Sequence, residues 1–353
     1  MGGYESNSTS REWKCELYTF SVYTVFIGFM CIVGFIGNIV SFIVFYNDKL
    51  KTSFLFLLQA LAIVDTLMIT CVFSIYSIQG FVQFTGLFRD SYNRYMYPVF
   101  MIIIYPFAFA FQALTVWLTV LLAVNRYIAV CMPYQALKIC TVKRARIYFA
   151  IVLLLALIYT LPKFVEGNLE LLPQRFCLTR TRISDNFYYE LVYHNIMYTA
   201  LIFILPLSVL TFLNIRLMVA FKDVKRKRKK MQSLKQRNDD SITLVLIVVV
   251  IVFTVCQLPA FVTQILWTVV DDDVRTCGGF QFYFSPVSNA LVMCNSSVNF
   301  FIYVFLNRRF RKILYQTACI YLCCCKREKV EMIHRARKAS VQNRVFLFRF
   351  FGN

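Results

Sequence analysis

Charge is what this 353-residue chain has least of. Asp, Glu, Lys and Arg make up 16% of it, against about a quarter in ordinary soluble domains. Acids are the scarcer sign, 18 against 38 Lys plus Arg. Histidine occurs only at His194 and His334. There is no phosphate-cradling Walker loop and no His/Cys spacing of a zinc site, so nothing reads as catalysis. Internal repeats and paired Gly/Pro-interrupted spans with several midplane charges are missing too, which argues against a transporter or channel. The first 14 residues are polar and the first apolar run is too long for a signal-peptide core, so no cleavable signal is expected.

Apolar residues fill the space that charge leaves, at 59% of the chain, with a mean hydropathy of +0.61. They gather in seven runs at about 19–46, 53–80, 98–131, 146–165, 193–221, 240–270 and 281–306, each near the ~20 residues that cross a bilayer core. Backbone groups in hydrocarbon must be satisfied within the segment, so these runs are read as helices. The third carries Arg126 near its end, in QALTVWLTVLLAVNRYIAV. A cation costs about 2.5–3.5 kcal/mol at the bilayer centre, which marks Arg126 for a role at a membrane face.

A net charge of +20 would point to nucleic acid in a soluble protein. Here Lys and Arg fall in blocks between the spans: nine of the 38 on one side, 29 on the other. The rich side is read as cytoplasmic. That puts residues 1–18 outside as an extracellular N-terminus, 19–306 in the seven-helix bundle, and Arg126 at the inner end of span three. The Asn7-Ser8-Thr9 acceptor for glycosylation falls outside. KDVKRKRKK on the inner side reads as attraction to anionic lipid. Residues 307–322 form an amphipathic segment on the inner leaflet, and 323–353 a cytoplasmic tail. Cys323, Cys324 and Cys325 stand where palmitoylation is expected.

The motifs, in order along the spans, resemble the rhodopsin-like G-protein-coupled receptors. They are Gly37-Asn38, Leu61-Ala62-x-x-Asp65, Asn125-Arg126-Tyr127, Pro206, Phe253-x-x-Cys256-x-x-Pro259, and Asn295-Ser296-Ser297-Val298-Asn299 leading to Tyr303. Within that class, YPFAFAFQALTVWLTVLLAVNRYIAVCMP, LKICTVKRARIYF, LPKFVEG, VCQLP and NSSVNFFIY resemble invertebrate FMRFamide-type neuropeptide receptors. The resemblance implies an all-α bundle of seven membrane helices in the plasma membrane, N-terminus outside. It implies an amidated Arg-Phe type peptide as ligand and a heterotrimeric G protein as partner. A chemosensory receptor for a small non-peptide ligand is the alternative within receptors.

By the same resemblance, Asn125, Arg126, Tyr127, Phe253, Pro259, Asn299 and Tyr303 serve coupling, with span six pivoting at Pro259. Asp65 is the one acid in the interior of a span. With Asn38, Thr115, Asn295, Ser296 and Asn299 it would form a polar network, an oxygen-rich set able to take Na⁺. Ala108 stands where amine receptors carry an Asp, which argues against a biogenic amine. A ligand guanidinium wants a carboxylate, and Glu166 is the first choice with Glu190 second. Gln257, Gln264 and Tyr105 are taken as further ligand contacts.

Departures from the pattern carry their own expectations. Asn125 replaces an acid and offers no ion pair to Arg126, which implies raised basal signalling. Gln257 replaces a Trp, Asn214 a Tyr and Phe300 a Pro. No Cys lies between Cys71 and Cys131, so the usual bridge from the top of span three cannot form. That leaves Cys15, Cys177 and Cys277 on the oxidising side. Cys15–Cys277 is the preferred pairing and Cys15–Cys177 the alternative.

Overall fold

The computed structural model describes residues 12–172, 175–230, 237–269 and 272–319. Asn7, Cys323, Cys324, Cys325 and His334 lie outside the described residues.

Six helices are long and apolar enough to cross a bilayer: Glu12–Asn47, Ser53–Thr85, Arg89–Cys131, Val142–Val165, Phe187–Ala220 and Val248–Trp267, here spans one to six. Span seven is a pair, Phe280–Ser297 and Asn299–Leu306, that meet at 44°. The chain thus forms the expected seven-helix bundle, followed by a helix over 308–319. Spans one and three begin earlier than hydropathy places them, at Glu12 and Arg89. Their first turns carry polar residues that hydropathy discounts, yet Trp13 packs at a tilt against Phe84 at 5.5 Å and Tyr92 meets Phe100 edge to face at 6.2 Å.

Local chemistry sets several ends. Thr52 and Thr141 cap spans two and four through hydroxyls that accept from Leu55 N and Arg144 N, each at 3.3 Å. Asn186 caps span five, accepting from Tyr188 N at 2.9 Å. Gly86, at φ 71°, ends span two in the left-handed region that glycine tolerates. Between spans four and five, β1 (Gly167–Leu172) pairs antiparallel with β2 (Arg175–Arg180), Glu170 opposite Cys177.

The inner half of the bundle holds the main core, with Leu114, Leu118, Leu210, Phe253 and Tyr303 buried together. Side chains such as Leu154, Leu155 and Ile158 on span four face outward, as a lipid-facing surface requires. Spans one and seven approach closely at Gly34 and Gly37, where an added Cβ would stand 2.8 Å from the Cβ of Ser297 and of Phe300 respectively. Phe310 of the 308–319 helix is buried against Phe45 and Tyr303, at ring distances of 5.3 and 5.7 Å.

Candidate functional site

A cavity of about 330 Å³ lies in the outer half of the bundle. Tyr23, Tyr76, Tyr105, Phe109, Tyr198 and Trp267 supply aromatic wall; Gln112, Gln264 and Asn289 supply amides. No Asp, Glu, Lys or Arg is among the described residues that line it. Tyr105 and Gln264, taken from the sequence as ligand contacts, line this cavity, and Ala108 lines it too. Glu190 and Gln257 do not. Gln257 is buried one turn of span six below the lining residue Ala260, and Glu190 lies near the outer start of span five.

Beside the cavity stands a charged cluster. Pro162 and a tight turn over Leu161–Val165 end span four, which brings Lys163 and Glu166 to one side. Lys163 is buried, and its Nζ donates to Glu166 Oε2 at 3.3 Å and to His194 Nδ1 at 3.1 Å. An ammonium only donates, so the imidazole accepts at Nδ1 and carries its proton on Nε2, a neutral tautomer inferred from the network. That Nε2–H donates to Glu166 Oε1 at 3.0 Å, and the Tyr189 hydroxyl donates to the same oxygen at 2.8 Å. Burial pushes the Glu166 carboxyl up; the His194 bond, the Lys163 charge and the Tyr189 bond outweigh it and hold the group below its ordinary value. The His194 carbonyl accepts from Gln264 Nε2 at 3.0 Å, so the cluster reaches the cavity wall through span six. Glu166, the first choice for a ligand guanidinium, is therefore already paired within the protein. Its oxygens already hold three partners, two of them, Lys163 and His194, missed because hydropathy says nothing of side-chain pairing. The signal available for Lys163 was its i,i+3 spacing to Glu166 beside a proline.

In mid-bundle, Asp65 is fully buried. Thr115 donates to Oδ1 at 3.0 Å and Asn299 Nδ2 to Oδ2 at 2.8 Å, and the Ser296 hydroxyl lies against the same carboxylate. Asn38 stands one step out, donating to the Ser296 carbonyl at 3.1 Å, and Asn295, the residue before Ser296, is buried as well. Spans one, two, three and seven meet here. The donor set is carboxylate and hydroxyl oxygen, the class a hard cation takes.

At the inner end, span three turns Asn125 and Arg126 toward the start of span two. Asn125 Nδ2 donates to Ser53 Oγ at 3.1 Å. The Arg126 guanidinium carbon sits 3.4 Å from the Phe54 ring centroid. Tyr127 packs on the main core. A pocket of about 340 Å³ adjoins this corner, lined also by Asp48, Arg309 and Phe310. Residues 37–303 match the family described as 7 transmembrane receptor (rhodopsin family). The chain belongs to that family.

Among the curated relatives of this receptor, an FMRFamide receptor of Drosophila melanogaster is 28% identical over 87% of this chain and 54% of its own length. An FMRFamide peptide receptor of Caenorhabditis elegans is 27% identical over 80% of this chain and 66% of its own. The sex peptide receptor of Drosophila melanogaster is 27% identical, over 84% and 72%. The chain thus spans little more than half the length of the first relative and just under two thirds of the second.

The structure joins Cys15 to Cys277, with Cα atoms 5.9 Å apart, and leaves Cys177 a free thiol in β2. This ties the start of span one to the approach to span seven. Two more residues that sequence reading passed over pair at the inner face. Asp48, in the first inner loop, is buried and holds Arg309 of the 308–319 helix. Phe253 is buried in the main core. Pro259 sits within a continuous span six, where the Thr263 hydroxyl bonds its carbonyl at 3.0 Å.

Proposed function

We propose that this receptor binds an extracellular peptide of the amidated Arg-Phe type and activates a heterotrimeric G protein from the plasma membrane, N-terminus outside. The observation that carries the ligand reading is the outer cavity: aromatic and amide-lined, with no charged side chain among its described lining residues. Such a wall matches a terminal Phe ring and a neutral carboxamide. A free terminal carboxylate or a buried ammonium would find no charge partner there. The relatives described as FMRFamide receptors support the same reading. A ligand guanidinium would meet Glu166 at the margin, in exchange with Lys163, with Glu190 as the second acid.

Activation follows as a population shift. The peptide favours one helix arrangement from outside, and the G protein favours the same one at Arg126. Span six, with Phe253 below and Pro259 as pivot, carries the change. The Asp65 network joins four spans between the two ends, and we assign Na⁺ as an occupant of its oxygen set in the resting receptor.

Amidated Arg-Phe peptides, their free-acid forms and non-peptide odorants, applied to cells that express the receptor, test this with G-protein activation as the readout. Responses to the amides, lost with the free acids, are expected. Silence to every amidated peptide together with a response to a small non-peptide molecule would overturn the ligand reading.

A further inference from the structure

We propose that Phe54 restrains Arg126 in the resting receptor, its ring face taking the place of an acid at position 125. The proposal rests on the coupling role of Arg126 given above.

Span two starts at Ser53, so Phe54 stands in its first turn, at the level where span three ends. The Arg126 guanidinium carbon is 3.4 Å from the ring centroid, the separation of a flat stack. Phe54 is 7% exposed. A planar guanidinium over a dry ring is held more firmly than at an open surface, by the ring quadrupole and by dispersion. The adjacent residue cannot do the same by charge, since Asn125 is neutral and its amide is engaged on Ser53. Asn125 and Arg126 thus meet Ser53 and Phe54 as two neighbouring pairs, and together they fasten the inner end of span three to span two. The 340 Å³ pocket borders both partners. The guanidinium therefore has room to leave the ring without breaking a packed core, which a two-position switch requires. This replaces the expectation, drawn from Asn125 alone, that Arg126 lacks a restraint.

Phe54 also packs in the inner core, so the test separates ring from bulk. In cells expressing the full chain, ligand-independent G-protein activation is measured per surface receptor for wild type, Phe54→Leu and Phe54→Tyr. Phe54→Leu is expected to raise basal output about tenfold, equal to about 1.4 kcal/mol; Phe54→Tyr, which keeps the ring, stays within about twofold of wild type. Purified Phe54→Leu receptor is expected to show faster amide hydrogen exchange at the inner end of span three, a readout that needs no G protein. If Phe54→Leu does not reach the surface, Phe54→Met takes its place in both measurements. Unchanged basal output and unchanged exchange, or an equal rise with Phe54→Tyr, overturns the restraint. An Arg126→Ala receptor that keeps full ligand-driven activation overturns instead the coupling reading beneath it.

Discussion

Arg309 forks onto Asp48: its Nε lies 2.8 Å from one carboxylate oxygen and its Nη2 2.5 Å from the other. The pair fastens the helix over 308–319 to the first inner loop, while Phe310 plugs the space beneath. The carboxylate is buried and the guanidinium about a third exposed, so solvent screens part of the attraction. Asp48→Asn is expected to cost about 1–2 kcal/mol, read as a lowered melting temperature of the detergent-purified receptor. Arg309→Lys keeps the charge but loses the fork, and a fall of similar size is expected.

The Lys163–Glu166–His194 cluster has a pH signature. Glu166 is held below its ordinary value of 4.5. A depressed carboxyl contributes stability that is present above the unfolded-state value and lost as pH falls through the folded one. Melting temperature should therefore hold from pH 7 to 5 and fall below about pH 4.5. Glu166→Gln should melt lower at pH 7, because it strands a buried ammonium, and should lose that acid limb. Lys163→Met added to Glu166→Gln should recover most of the difference.

Non-reducing peptide mapping is expected to find Cys15 linked to Cys277. Cys15→Ser should weaken peptide potency, because it frees span one from the approach to span seven; removal of a long-range bridge costs typically about 2–5 kcal/mol. Cys177→Ser should leave both stability and potency near wild type, since that thiol is free.

Gly37→Val should reduce surface expression severely. Its side chain would enter the space of Phe300, whose Cβ is 2.8 Å from the position of an added Cβ. Phe300→Ala in the same chain should restore expression, at least in part. Failure of the double variant would place the cost elsewhere than in the crossing of spans one and seven.

Sodium gives a further check. If Na⁺ enters the oxygen set around Asp65, agonist potency should rise when choline replaces Na⁺ in the medium, and Asp65→Asn should abolish that difference. Equal potency of the wild type in both media removes the ion and leaves a polar network.

Hydropathy and charge asymmetry by themselves determined the seven spans, and the order of short motifs determined the family. Both are properties of the local chain: a run of about 20 apolar residues must be a helix in lipid wherever it packs. Partner choice is not local. Cys15 with Cys277, Asp48 with Arg309, Asn125 with Ser53 and Glu166 with His194 lie between 28 and 262 residues apart. Each depends on how far a helix is rotated about its axis, which hydropathy does not encode. Span seven shows the same limit, since position 300 is Phe and nothing in the run calls for a break. Yet the span bends by 44° around Val298, where Ser297 Oγ donates to Met30 O of span one at 3.1 Å and Asn299 reaches Asp65 at 2.8 Å. The bend is held by one partly buried and one buried hydrogen bond to two other spans, and only the assembled bundle supplies those acceptors.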